Sequence, residues 1–98
     1  MTWTEDSCIK EAMLLIKNNI KDDSVHTAEC TWIYEPTINY YRLEYDIPIQ
    51  EVFRNDVKYE GDYLLVLNDW ITNKKYQLLL MDRTSGLAVY KRKPISTN

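Results

Sequence analysis

The side chains best suited to chemistry are few: one histidine, His26, and two cysteines, Cys8 and Cys30. A single histidine cannot build an HExxH or multi-histidine zinc site. Cys8, His26 and Cys30 contain no close-spaced CxxC pair either, so their spacing speaks against zinc. His26 stands among Asp22, Asp23 and Glu29, beyond the end of a predicted helix. That is the setting of a surface histidine in a turn. A general base needs a cleft and a shifted pKa. Cys30 would need a base to act as a nucleophile. His26, four residues away on a strand, would lie about 13 Å off at ~3.3 Å per residue. Cys30 therefore reads as a buried structural cysteine. Asp56, Glu60 and Asp62 in "NDVKYEGD" hint at a cation loop, but they lack the alternating oxygen ligands and terminal Glu of an EF-hand. Two glycines cannot build a phosphate cradle. Fifteen acids allow many glycosidase-like pairs, and nothing selects one. No catalytic residue, metal site or cofactor is expected, and the chain reads as a non-enzyme.

The elements that would position these residues follow from periodicity. Ile9, Ala12, Met13, Ile16 and Ile20 fall on one face of a helix over residues 4–20. Glu5 and Asp6 sit in its first turn, where the helix dipole favours anions. Residues 27–34 and 39–47 alternate and predict a hairpin closed by the loop Glu35–Ile38, with Pro36 at the second turn position. That register places Tyr34 opposite Asn39, Trp32 opposite Tyr41, Cys30 opposite Leu43 and Ala28 opposite Tyr45, all on the core face. Ile33, Tyr40, Arg42, Glu44 and Asp46 form the outward strip. Residues 63–69, 75–82 and 86–92 complete a set of about five strands, the last two joined by the loop Arg83–Gly86. Residues 48–62 are ambiguous: Pro48 makes the stretch an edge strand or a short helical turn, and "NDVKYEGD" after it reads as a loop.

Ninety-eight residues make one domain, 1–98. A helix followed by strands predicts an α+β fold, with the N-terminal helix packed on a curved antiparallel sheet. The cystatin-like and NTF2-like rolls share this plan as architecture. Leu64 and Val66 point opposite to Leu65 and Leu67, as Leu78 and Leu80 do to Leu79 and Met81. One helix covers one face, so the second apolar face needs a bent sheet, the 48–62 segment, the N-terminal arm, a second copy or a partner.

No apolar run approaches the ~20 residues of a membrane helix. The start of the chain lacks an apolar signal segment. With two cysteines and no disulfide pattern, the expected compartment is the cytoplasm. Residues 1–56 carry eleven acids against five bases, −6; residues 57–98 carry four against seven, +3. This balance is the reverse of a nucleic-acid binder and suits a partner with a basic cleft. Eight tyrosines and three tryptophans supply residue types that dominate interfaces. The small, acidic, aromatic-rich profile is similar to that of toxin-immunity proteins and phage-encoded inhibitors. That resemblance implies occlusion of a protein partner's active or nucleic-acid-binding site. The contacts expected for it are Ile33, Tyr40, Arg42, Glu44, Asp46 and Trp70, the last in a predicted turn. A small-molecule or enzymatic α+β roll and a homodimer on the second sheet face are the alternatives.

Overall fold

The computed structural model describes residues 4–22, 24–53, 57–67 and 75–93. Helix α1 spans Thr4–Asn19. Its stripe behaves as the periodicity predicts: Ile9, Ala12, Met13 and Ile16 are buried, and Ile20 packs against the same core. Strands β1 (Ala28–Cys30), β2 (Tyr63–Leu67), β3 (Tyr76–Met81) and β4 (Leu87–Arg92) form a four-stranded sheet in the order β1-β2-β4-β3. A 3-10 turn, Trp32–Tyr34, and a second helix, α2 (Glu35–Glu44), follow β1. The class is α+β, with two helices and an open, mixed sheet among the described residues. Among the described residues, no helix is long and apolar enough to cross a membrane.

Two expectations are corrected. The sheet is not a five-stranded antiparallel meander of the roll type. β1 runs parallel to β2, β4 lies between β2 and β3, and both pair with it antiparallel. The first hairpin does not form. Residues 35–44 are helical, and Cys30 pairs with Leu65 rather than Leu43. Trp32, assigned to the core, is 60% exposed.

The helix has its own physical logic. Tyr34, Ile38, Tyr41 and Tyr45 recur at i, i+4, i+7 and i+11, a helical stripe. Tyr34 and Ile38 are buried, and Tyr41 and Tyr45 pack against the main core. Pro36 sits in the first turn, where a missing N–H costs nothing. The C-terminus closes as a Schellman motif. Asp46 adopts a left-handed φ of 53°, its N–H meets the Leu43 carbonyl at 3.4 Å, and the N–H of Ile47 donates to the Arg42 carbonyl at 3.0 Å. Ile47 is buried, and Pro48 then blocks continuation.

The two apolar faces of the sheet have separate fates. Leu65, Leu87 and Val89 meet α1 and α2 in the main core. Leu64, Val66, Ala88, Tyr76 and Tyr90 form a second cluster, with Val57 against it. All five are buried within the single chain. The register of β3 against β4 shifts between Leu78 and Leu80. That irregularity turns both Leu79 and Leu80 towards the main core, whereas strict alternation would split them. Gly86 takes the left-handed conformation, φ 83°, that the β3–β4 turn requires.

Candidate functional site

Helix α2 and its flanks carry most of the residues expected at an interface. On a helix, residues four apart share a face, so Tyr40 and Glu44 stand together with Pro36 and Leu43. All four are exposed, Tyr40 at 59% and Leu43 at 71%. Asp46 is exposed just beyond the helix end. Ile33 and Arg42 do not join this face. Ile33 is half-buried against the main core, and Arg42 is half-buried with its Nε enclosed and without a hydrogen-bond partner among the described residues. Their outward placement belonged to a strand that does not exist. Trp70 lies outside the described residues. Leu43, Trp32 and Phe53 are exposed apolar residues that the strand reading placed elsewhere or passed over. The 3.6-residue stripe through Ile38 was the signal that exposes Leu43.

Ring contacts and one amide hold α2 in place. Tyr40 meets Tyr41 edge-on at 5.2 Å between centroids, and Tyr41 stacks with Tyr45 at 5.8 Å. Lys10 from α1 lies over the Tyr45 ring, and Lys17 Nζ donates to the Tyr45 carbonyl at 2.7 Å. Asn39 reads the backbone of Val52 as a strand neighbour would. Its Nδ2 donates to the Val52 carbonyl, its Oδ1 accepts the Val52 N–H, and both distances are 3.0 Å. This pair carries the segment after Pro48 along α2. Tyr40 and Leu43 are thus displayed on a rigid helix whose other side is fully engaged.

His26 occupies a cleft of about 450 Å³ with Asp22, Asp62, Tyr63, Lys91 and Arg92. Its backbone bridges to Ile49, so it is a half-buried joint rather than a free turn residue. Nε2 lies 3.0 Å from the Asp22 carboxylate, and Nδ1 lies 3.6 Å from Asp62. The carboxylates face opposite ring nitrogens, so they do not converge on one ligand position. Ser24 Oγ is 3.3 Å from Nε2 but donates to Asp22 at 2.8 Å. Asp22 therefore engages the nitrogen through which the imidazole would have to take a serine proton. The hydrogen bond from His26, then those from Ser24, hold the Asp22 carboxyl below its ordinary range.

Both cysteines are free. Burial, then the neighbouring Glu35 and Glu29, pushes the Cys30 thiol up to about 12. Such a thiol is protonated and inert at neutral pH. Cys8 Sγ donates to Asp82 Oδ2 at 2.7 Å, and that bond raises its pKa further than burial does. The same bond, with one from Ser85, lowers Asp82. Among the described residues, no group of three or more His, Cys, Asp or Glu side chains is arranged to hold a metal ion. Asp62 accepts from the Thr27 N–H at 3.1 Å, and Asp56 lies outside the described residues. Comparison with protein-family models, with characterised proteins and with solved structures returns no match.

Proposed function

We propose that this chain is a small, non-enzymatic binding protein of the cytoplasm, which neutralises a protein partner by covering its active or nucleic-acid-binding site. The observation that carries the reading is the exposed face of α2. Tyr40 and Leu43 stand in solvent although the opposite stripe of the helix already supplies its packing. An aromatic and an aliphatic anchor on a rigid helix suit the centre of an interface. Glu44 and Asp46 beside them, and the −6 of residues 1–56, favour a partner with a basic cleft by steering encounter. The two free thiols fit a reducing compartment. The resemblance in profile to toxin-immunity and phage-inhibitor proteins points the same way.

The test compares the wild-type chain with the Tyr40→Ala, Leu43→Ala double variant as baits in host extract. Expected is one dominant basic protein on the wild-type bait, inhibited by it in a purified assay. The double variant, equally folded by circular dichroism, should bind it at least roughly tenfold more weakly. Equal capture by both baits, or a bound protein whose activity is untouched, defeats the proposal.

A further inference from the structure

Four consecutive backbone N–H groups converge on one carboxylate. Lys58 and Tyr59 donate to Oε1 of Glu29 at 2.5 and 3.2 Å. Glu60 and Gly61 donate to its Oε2 at 2.7 and 2.5 Å. Successive amides turned to one side make a nest, a concavity built to bind anions. The left-handed φ of 58° at Tyr59 supplies the turn this requires. The loop is also braced from outside: the Tyr76 hydroxyl donates to the Gly61 carbonyl at 2.7 Å, and Arg92 Nη1 donates to the Glu60 carbonyl at 3.3 Å. At Gly61, a Cβ would stand 3.2 Å from both Cγ and Oε2 of Glu29. A side chain there would press the Glu29 carboxylate back by a few tenths of an ångström.

The acceptor is not part of the loop. Glu29 projects from β1, 29 to 32 residues earlier in the chain. It also borders a groove of about 290 Å³, lined in addition by Gln50, Phe53 and Lys58. A loop that closed by its own turn chemistry would not need a distant side chain to satisfy four donors at once.

We propose that residues 58–61 form a carboxylate receptor, with Glu29 as its tethered ligand, and that the loop holds its conformation only while an anion fills it. The bound carboxylate docks the loop on β1. It thereby sets the entry into β2, where Asp62 meets Thr27 and the Tyr63 N–H donates to the Thr27 carbonyl at 3.1 Å. When the tether is cut, a free carboxylate takes the place of Glu29.

The decisive experiment is thermal denaturation of wild type and Glu29→Ala in sodium formate and in sodium chloride at equal ionic strength. Expected is a lower Tm for Glu29→Ala in chloride, raised by several degrees in formate along a saturating curve, as a ligand bound only to the folded state requires. The wild type, its nest already filled, should respond to the two salts alike. An unchanged Tm for Glu29→Ala, or a formate response no greater than that of chloride, overturns the proposal. If Glu29→Ala does not fold, amide exchange decides. All four amides should be protected in the wild type, and Glu29→Gln, which replaces one acceptor oxygen by a donor, should lose protection at two of them. Unprotected amides in the wild type, or four unchanged amides in Glu29→Gln, overturn it equally.

Discussion

The strands β2–β4 and the segment between β1 and β2 are held by different physics. In the sheet, the backbone ladder sets the register and apolar side chains fill both faces: Leu65 and Val89 on one, Leu64 and Val66 on the other. Between β1 and β2, apart from the turns of α2 and its ends, little backbone pairs with backbone among the described residues. One bridge joins His26 to Ile49, and side chains then do the joining. Asn39 takes both backbone groups of Val52, Glu29 takes four amides of residues 58–61, and Asp62 and Thr27 bind each other's N–H groups. A ladder restores itself wherever its register repeats. A staple depends on one residue. Most of the exposed large apolar residues among the described ones lie in the stapled region, Trp32, Tyr40, Leu43, Phe53 and Tyr59, with Leu78 on β3 and Val25 before β1 outside it. On α2 scaffold and displayed surface meet back to back, with Ile38 in the core and Tyr40 and Leu43 on the opposite face.

This contrast can be broken most strongly at its scaffold. Leu65→Ala empties a fully buried site next to both helices and should cost about 2–5 kcal/mol in urea unfolding. Ile38→Ala on the buried face of α2 belongs to the same range. Asn39→Ala should come next. It leaves the buried backbone of Val52 without its donor and acceptor, and each orphaned group costs about 1–3 kcal/mol. Amide exchange should show the loss concentrated at Val52, with the β2–β4 ladder little changed. A loss spread evenly over the chain would abolish the distinction between ladder and staple.

The response to pH tests single side-chain contacts in both regions. Asp22 and Asp82 have carboxyl pKa values held below the ordinary 3.8 by hydrogen bonds. Stability from these bonds is therefore present above that value and lost as the pH falls through the folded pKa values. Asp82→Asn should flatten this acid limb, read as Tm between pH 5 and pH 2. At the other end Cys30 rises from 9.0 to about 12 on folding. The corresponding stability is complete below pH 9 and declines from there towards pH 12. A thiol reagent at pH 8 should therefore leave native Cys30 unmodified until the chain is unfolded.

Smaller effects test the display surface. Asp46→Gly relieves a left-handed residue at the end of α2 and should stabilise by about 1 kcal/mol. A loss of stability there would assign the Asp46 carboxylate a structural duty. Tyr40→Ala and Leu43→Ala, on the exposed face, should each stay within about 0.5 kcal/mol of wild type. A larger cost would turn the displayed face into part of the scaffold.

Much of the scaffold was legible before folding was considered. The α1 stripe, the three C-terminal strands and the turn at Gly86 each combine one clear period with clear punctuation, and all are found close to their expected bounds. The stretch 31–47 defeated the same approach because its residues satisfy two periods. Trp32, Tyr34, Tyr41 and Tyr45 alternate as in a strand, and Tyr34, Ile38, Tyr41 and Tyr45 also repeat as in a helix. Aromatic residues favour the strand locally. Pro36 in a first turn, a left-handed Asp46 and burial of Ile38 favour the helix, and that choice is made by the core. The candidate surface moved with it, so Tyr40 and Glu44 kept company while Ile33 and Arg42 left.

The sequence by itself determined an aromatic-rich α+β chain with an acidic first half and a basic second half, because composition and single-period segments need no partner to be read. The tertiary structure decided which period residues 31–47 obey, which strand β1 joins, and where the Glu29 carboxylate goes. Each of these depends on groups brought together from distant parts of the chain. Burial of Ile38, pairing of Cys30 with Leu65 and the four amides around Glu29 exist only after the chain has closed on itself.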